Sequence, residues 1–214
     1  PLSRGEGGLS DNKSLPWSIE FIEKYETNWN WHHLSLKEDL TWSIELIERF
    51  EDKWKFNSLS HNKALPWSDE LIEKYKEKKI KLSDTTSCTI DWDWSLLALN
   101  NALPWSIEFI EKHEEKWEEL EISESWSSNR VNNWSYLSTN ESIMWSLELI
   151  EKYEDKWNWN NLSENKSLPW SLNFIHKYAN KLIEKKVFYD CEKLLIWEII
   201  RLYINDEIIE LVFD

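Results

Sequence analysis

A Trp-Ser pair followed by an acidic, apolar, basic and aromatic run recurs six times, at Trp17, Trp42, Trp67, Trp105, Trp145 and Trp170. The intervals are 25, 25, 38, 40 and 25 residues, so the period is 25, with extra residues after the third and fourth copies. A fixed period this short constrains the fold strongly, because no unit can bury its own apolar face and each must stack on its neighbours. Nearly everything else is insertion or terminus.

In the first copy the apolar residues fall at Trp17, Phe21, Ile22, Tyr25 and Trp29. At ~100° per residue they gather into one stripe, which predicts a long amphipathic helix from the Trp-Ser pair towards Trp29. Proline suits a first helical turn, so the helix should begin within Leu-Pro-Trp-Ser, with Thr41 taking the place of proline in the second copy. The serine after each Trp (Ser18, Ser43, Ser68, Ser106, Ser146, Ser171) caps this helix or bridges to the next copy; a catalytic serine would not be needed six times. Glu20 and Lys24 form an acid-before-base pair four apart, repeated as Glu45/Arg49, Glu70/Lys74, Glu108/Lys112 and Glu148/Lys152, on a face expected to be solvated.

The run Trp-Asn-Trp-x-x-Leu-Ser follows, at Trp29 to Ser35 and Trp157 to Ser163, echoed at Trp92 to Trp94. Asn30, Asp93, Asn133 and Asn158 are natural N-caps, which predicts a second, short helix. It should end near the recurring Asn12, Asn62, Asn100, Asn140 and Asn165, a residue type that tolerates the left-handed conformation. Each unit is then a helix pair, one long and one short.

The full motif Leu-Ser-x-Asn-x-x-Leu-Pro-Trp-Ser-x-Glu-Leu-Ile-Glu-Lys-Tyr-x-x-Lys-Trp-x-Trp resembles the short tryptophan-rich repeats of uncharacterised proteins in bacteria and large DNA viruses. The resemblance covers roughly residues 9–186 and implies a repeat scaffold with no catalytic residue to transfer. Fifteen of the 17 Trp occupy repeat positions, all but Trp126 and Trp197, which assigns Trp to packing between units. On that view Trp145 is core, and its removal should cost ~3–5 kcal/mol.

A net charge of −15 argues against nucleic acid and favours a basic protein partner. Two cysteines, Cys88 and Cys191, make no disulfide framework or zinc site and fit a reducing, cytoplasmic compartment, with a virion or other assembly as the alternative. No apolar run is long enough to span a membrane, and no signal peptide is visible.

Residues 1–8 read as a flexible lead, and the first copy lacks the Trp-Asn-Trp half that should precede Leu9. This predicts a fragment of, or a product processed from, a longer repeat protein. Copy three departs from the motif where Lys79 and Lys81 replace its closing aromatics. Insertions at about 78–90 and 118–130 both fall between long and short helix, so both should emerge on one edge as solvated loops or as a binding edge. Residues 187–214 are apolar nearly all around a helix and read as a terminal cap or a docking segment.

Metal chemistry is not indicated: His32, His33, His113 and His176 have no ligand partners at metal spacing. No phosphate loop or Gly-x-Ser-x-Gly nucleophile motif occurs. The fold expected is therefore an all-α solenoid of six two-helix repeats with a helical C-terminal cap. The function expected is a non-enzymatic scaffold for protein–protein interaction without cofactors, with Lys79, Lys81, Trp126, Trp197 and Tyr203 as candidate partner-binding residues. A structural subunit using 187–214 for contacts is the second reading, and a carbohydrate-binding module the third.

Overall fold

The structure is a computed structural model in which residues 8–81, 86–118 and 132–183 are described. The chain divides into two compact units, Pro1–Pro104 and Trp105–Asp214. The described residues are mostly helical. Unit one holds α1 (Ile19–Lys24), α2 (Trp31–Leu36), α3 (Ile44–Arg49), α4 (Phe56–His61), α5 (Asp69–Tyr75), β1 (Lys78–Lys81), β2 (Ser87–Ile90) and α6 (Trp94–Leu99). Unit two holds α7 (Ile107–Lys112), α8 (Glu114–Glu118), α9 (Asn133–Thr139), α10 (Leu147–Lys152), α11 (Trp159–Glu164) and α12 (Leu172–Ile183). The insertion residues 119–130 and the apolar segment 187–214 lie outside the described residues.

Each copy starts the same way. Trp17 N–H donates to Leu15 O at 2.9 Å, closing a three-residue turn centred on Pro16, and the same turn recurs at Trp42, Trp67, Trp145 and Trp170. Proline therefore sits ahead of the helix and not in its first turn. Ser18 follows in extended conformation, and its hydroxyl accepts from Phe21 N–H at 3.2 Å. Ser43, Ser68, Ser106, Ser146 and Ser171 cap in the same way, so capping is the serine's local task.

The expected long helix is only half present. Helices α1, α3, α7 and α10 have six residues each, and the chain leaves them at Tyr25, Phe50, His113 and Tyr153. Leaving early frees carbonyls at the helix end, and a tryptophan captures one of them. Trp29 Nε1–H donates to Ile22 O at 2.8 Å, Trp54 to Leu46 O at 3.4 Å, Trp92 to Ile72 O at 2.9 Å and Trp117 to Ile110 O at 3.0 Å. In the sixth copy Leu182 stands at this position and has no N–H to offer. There α12 runs on for twelve residues, keeping its carbonyls inside the helix.

These closing tryptophans (Trp29, Trp54, Trp92, Trp117, Trp157) are all buried, with Trp117 at 0 % exposure, as are Trp94, Trp134 and Trp159 of the short helices. The Trp of the Trp-Ser pair is half-buried in five of six copies, Trp145 included, so its assignment to the core is corrected. It lies against the closing ring, at 5.1 Å for Trp17–Trp29, 5.0 Å for Trp42–Trp54 and 5.0 Å for Trp145–Trp157. The short-helix aromatic joins the following copy: Trp31 lies 4.9 Å from Trp54, Phe56 5.0 Å from Trp92, and Trp134 4.9 Å from Trp157. The apolar core is thus a line of edge-on and tilted rings running along each unit.

The first insertion is a β-hairpin, which forms the one two-stranded sheet among the described residues. Lys78 pairs with Ile90, Lys79 with Thr89, Ile80 with Cys88 and Lys81 with Ser87, antiparallel, and Ile80 is buried. Trp92 then takes up the closing role, as its bond to Ile72 O shows. Lys79 and Lys81 therefore replace nothing; the closing ring of copy three is displaced beyond the hairpin. In copy four the closing Trp117 comes before the insertion.

Candidate functional site

The residues that recur most from copy to copy work between copies. Asn62 Nδ2 donates to Ser35 O at 2.9 Å and Lys37 O at 3.2 Å, while its Oδ1 accepts from Ala64 N–H at 2.9 Å. Asn100 repeats this on Ser60 O and Asn62 O, and Asn165 on Ser138 O and Asn140 O. The carbonyl of the same Asn receives the indole N–H five residues on, as in Trp67 to Asn62 O at 2.9 Å. These asparagines are buried and extended, with φ of −74° at Asn62 and −78° at Asn165. The left-handed conformation expected of them is not used; the amide is kept for its reach.

A second ladder uses the serine of Leu-Ser. Ser35 Oγ donates to Trp31 O at 2.7 Å and accepts from Lys55 N–H at 3.0 Å. Ser60 and Ser138 do the same with Asp93 N–H and Asn158 N–H. One hydroxyl thereby ties a short helix to the N-terminus of the next. The expected caps Asn30, Asp93 and Asn158 accept from amides of their own helices, whereas Asn133 is inside α9 and sends its amide to Lys116 O at 2.8 Å.

The charged face is also laddered. The base expected to pair with the acid four residues before it in its own helix reaches the preceding copy. Arg49 pairs with Glu23, Lys74 with Glu48, Lys152 with Glu111 and Lys177 with Glu151. A parallel row has Lys53 on Glu26 at 3.0 Å, Lys78 on Glu51 at 2.6 Å and Lys181 on Glu154 at 3.1 Å. Glu26, then Asp52, hold the Lys53 ammonium above its ordinary range. All of these pairs are at least partly solvated, so each contributes little alone.

Burial pushes the Tyr153 hydroxyl up to about 12, helped by Glu114 and Glu111, and it also raises Tyr75 beside Glu51 and Glu48. Glu20 and Glu108 are held below the usual carboxylate range by their own N–H at the helix start and by the capping Ser18 and Ser106.

The candidate residues do not converge. Lys79 is exposed on β1, Lys81 is described for its backbone alone, and Trp126, Trp197 and Tyr203 lie outside the described residues. His32 Nδ1 meets Ser58 Oγ at 2.8 Å, His33 Nδ1 meets Asp11 Oδ1 at 3.0 Å, and His113 is a buried ring beside Phe109. Among the described residues no three His, Cys, Asp or Glu side chains gather to hold a metal, and no helix is long and apolar enough to cross a membrane. A groove of about 360 Å³ between copies one and two is lined by Trp17, Glu20, Leu40, Thr41 and Leu46. Lys37, the second copy's substitute for the ladder Asn, lies 5.3 Å from the Trp17 ring and 2.9 Å from Asp39.

No family model, curated protein or solved structure matches the chain. Its chemistry must be argued from these contacts. The Asn and Ser ladders were missed in the sequence, although their constancy at 25-residue spacing was the signal that could have found them.

Proposed function

We propose that the chain is a non-enzymatic solenoid scaffold of six tryptophan-rich copies, of the kind its motif resembles, that presents a surface to a protein partner. The observation that carries this reading is where the invariant residues are spent. Asn62, Asn100 and Asn165, and Ser35, Ser60 and Ser138, make hydrogen bonds from one copy to another. A chain that holds its polar constants for stacking keeps variable positions and insertions for recognition.

The β1–β2 hairpin is the recognition element favoured within the described residues. It lifts Lys79 out of a chain of net charge −15, so the partner patch it meets is acidic, while the surrounding carboxylates suit basic residues at the rim. The carbohydrate reading draws little support, because the indoles that would stack on sugar pack tilted or edge-on against the closing rings, with centroids about 5 Å apart. A reducing compartment remains the proposed location, with a virion or comparable assembly as the second.

The test is a photo-crosslinking residue at Lys79, compared with one at Glu148 on α10, in the native cell. A discrete protein adduct at position 79, with none at Glu148, supports the reading. Adducts of equal yield at both positions, or glycan binding by the purified chain, would replace it.

A further inference from the structure

The first copy carries the receiving half of the serine and ion-pair ladders, at Ser10, Glu23 and Glu26, and lacks the giving half. Leu9 is 55 % exposed, whereas Leu34, Leu59, Leu97, Leu137 and Leu162 at the same position are 0 % exposed. Tyr25 is 39 % exposed, whereas Phe50, Tyr75, His113, Tyr153 and Tyr178 lie between 0 and 5 %. Asn12 uses its Oδ1 on Ser14 N–H at 2.8 Å, and its Nδ2 makes none of the carbonyl contacts seen at Asn62. Lys24 occupies the position of Arg49 and Lys74 but has no carboxylate within ion-pair distance among the described residues; it lies 5.3 Å from the Tyr25 ring.

Interior copies show what covers these groups. Tyr25 is matched by Phe50, which packs 5.3 Å from Trp31; Lys24 by Arg49, held by Glu23; and Asn12 by Asn62, bonded to two carbonyls. We infer that the face of Leu9, Asn12, Lys24 and Tyr25 is a docking site for a partner module of the interior repeat type. That module brings a short-helix aromatic for Tyr25, a carboxylate for Lys24 and two free backbone carbonyls for Asn12.

A second copy of this chain, stacked head to tail, is the wrong occupant. The copy that would meet Lys24 is the sixth, where His176 stands in place of Glu151 and Ala179 in place of Glu154. Neither supplies an anion, so Lys24 would meet an uncharged or cationic side chain. These stacking contacts are independent of the hairpin as a recognition element.

The experiment adds the occupant in register. Residues 34–58 are duplicated between Gly8 and Leu9 of the full chain, which places a Glu48 equivalent beside Lys24 and a Phe56 equivalent beside Tyr25. The expected result is a higher Tm and amide exchange in α1 slowed by about tenfold or more. The same insertion with Lys at its Glu48 position and Ala at its Phe56 position should forfeit most of the slowing. Unchanged exchange would overturn the inference, as would equal protection by the doubly altered insertion. Light scattering of the unmodified chain at rising concentration tests the other occupant: head-to-tail oligomers abolished by K24E would make a second copy the partner and overturn the choice made here. The Lys79 crosslink reads a different surface, so either idea can fail alone.

Discussion

Copies one and six begin identically and end differently. Both have a turn before Trp17 or Trp170, a serine cap and an aromatic at the seventh residue after the cap, Tyr25 or Tyr178. In copy one the helix stops at Lys24 and the chain turns so that Trp29 can bond Ile22 O; in copy six α12 runs through to Ile183, with Leu182 in the tryptophan's place. Local propensity contributes, since Ala179 favours helix where Glu26 and Thr27 are weaker formers. The larger lesson is that a side chain four residues past the break decides whether backbone carbonyls are satisfied by helix or by indole. Copy five adds a refinement: Trp157 Nε1 has no hydrogen-bond partner, yet α10 still stops at Lys152. There the ring's packing, 4.9 Å from Trp134 and 5.0 Å from Trp145, holds the break.

The largest effect should come from removing a closing ring. Trp117→Ala deletes a fully buried indole and frees Ile110 O, and should cost about 3–5 kcal/mol in urea denaturation. Trp145→Ala, at a half-buried position, should cost about half as much. Equal losses would mean that the two rings share one role and that the comparison between breaking and motif tryptophans is mistaken. The comparison can also be run forwards: Trp29→Leu should extend α1 through Tyr25, gaining helical circular dichroism while losing stability.

Next in size is the asparagine ladder. Asn62→Ala leaves Ser35 O and Lys37 O without their donor and Ala64 N–H without its acceptor, a cost of about 2–3 kcal/mol. Asn12→Ala loses one exposed bond and should cost about 0.5 kcal/mol or less. The ratio of the two measures how much of the asparagine acts between copies.

How much of this the sequence revealed follows from how local each cause is. The period, the helix pair, the serine caps and the N-caps at Asn30, Asp93 and Asn158 are local and were legible. Three features were not. The helix break depends on Trp29 reaching back seven residues, and periodicity is blind to that because the apolar stripe continues through the turn. The pairing of Arg49 with Glu23 competes with a plausible partner four residues away, and only stacking decides between them. The hairpin was obscured by KKIKLSDTTSCTI, whose strand alternation is four residues long on each side and interrupted by a polar connection. At the candidate surfaces, the exposed Leu9 and Tyr25 could be recognised only once their buried counterparts were seen.

Alkaline titration sharpens the comparison between copies five and six. Tyr153 and Tyr178 occupy the same position, and burial raises both. Around Tyr153 the neighbouring charges are Glu114 and Glu111, which raise it further, to about 12; beside Tyr178, Lys177 opposes the rise. In ring-resolved spectra Tyr178 should therefore ionise first. The unfolded phenol loses its proton near 10.0 and the folded one later, so the folded state binds the proton more tightly. Stability is full below pH 10 and falls as pH rises from there through about 12. A protein that keeps its midpoint in urea up to pH 12 would show these hydroxyls to be solvated.

The smallest effect tests whether the charged row cares about the helix break at all. Lys53 projects from the turn that follows α3, and Lys181 from the unbroken α12, yet each stands three residues past the aromatic and meets a glutamate of the preceding copy, Glu26 at 3.0 Å and Glu154 at 3.1 Å. Lys181 has a second acid, Asp155 at 2.9 Å, which also raises its ammonium above the ordinary range. Glu26→Gln removes one of two carboxylates near Lys53, the other being Asp52 at 3.3 Å, and Glu154→Gln removes one of two near Lys181. Each change should cost about 0.2–0.5 kcal/mol at low salt and nearly nothing at high salt, because the pairs are partly exposed and screened. A clearly larger cost at Glu154 would mean that the rigid helix presents its lysine at lower entropic cost than the turn does. Equal costs would assign the row to copy spacing alone, and the break at Tyr25 would then serve the aromatic line and nothing else.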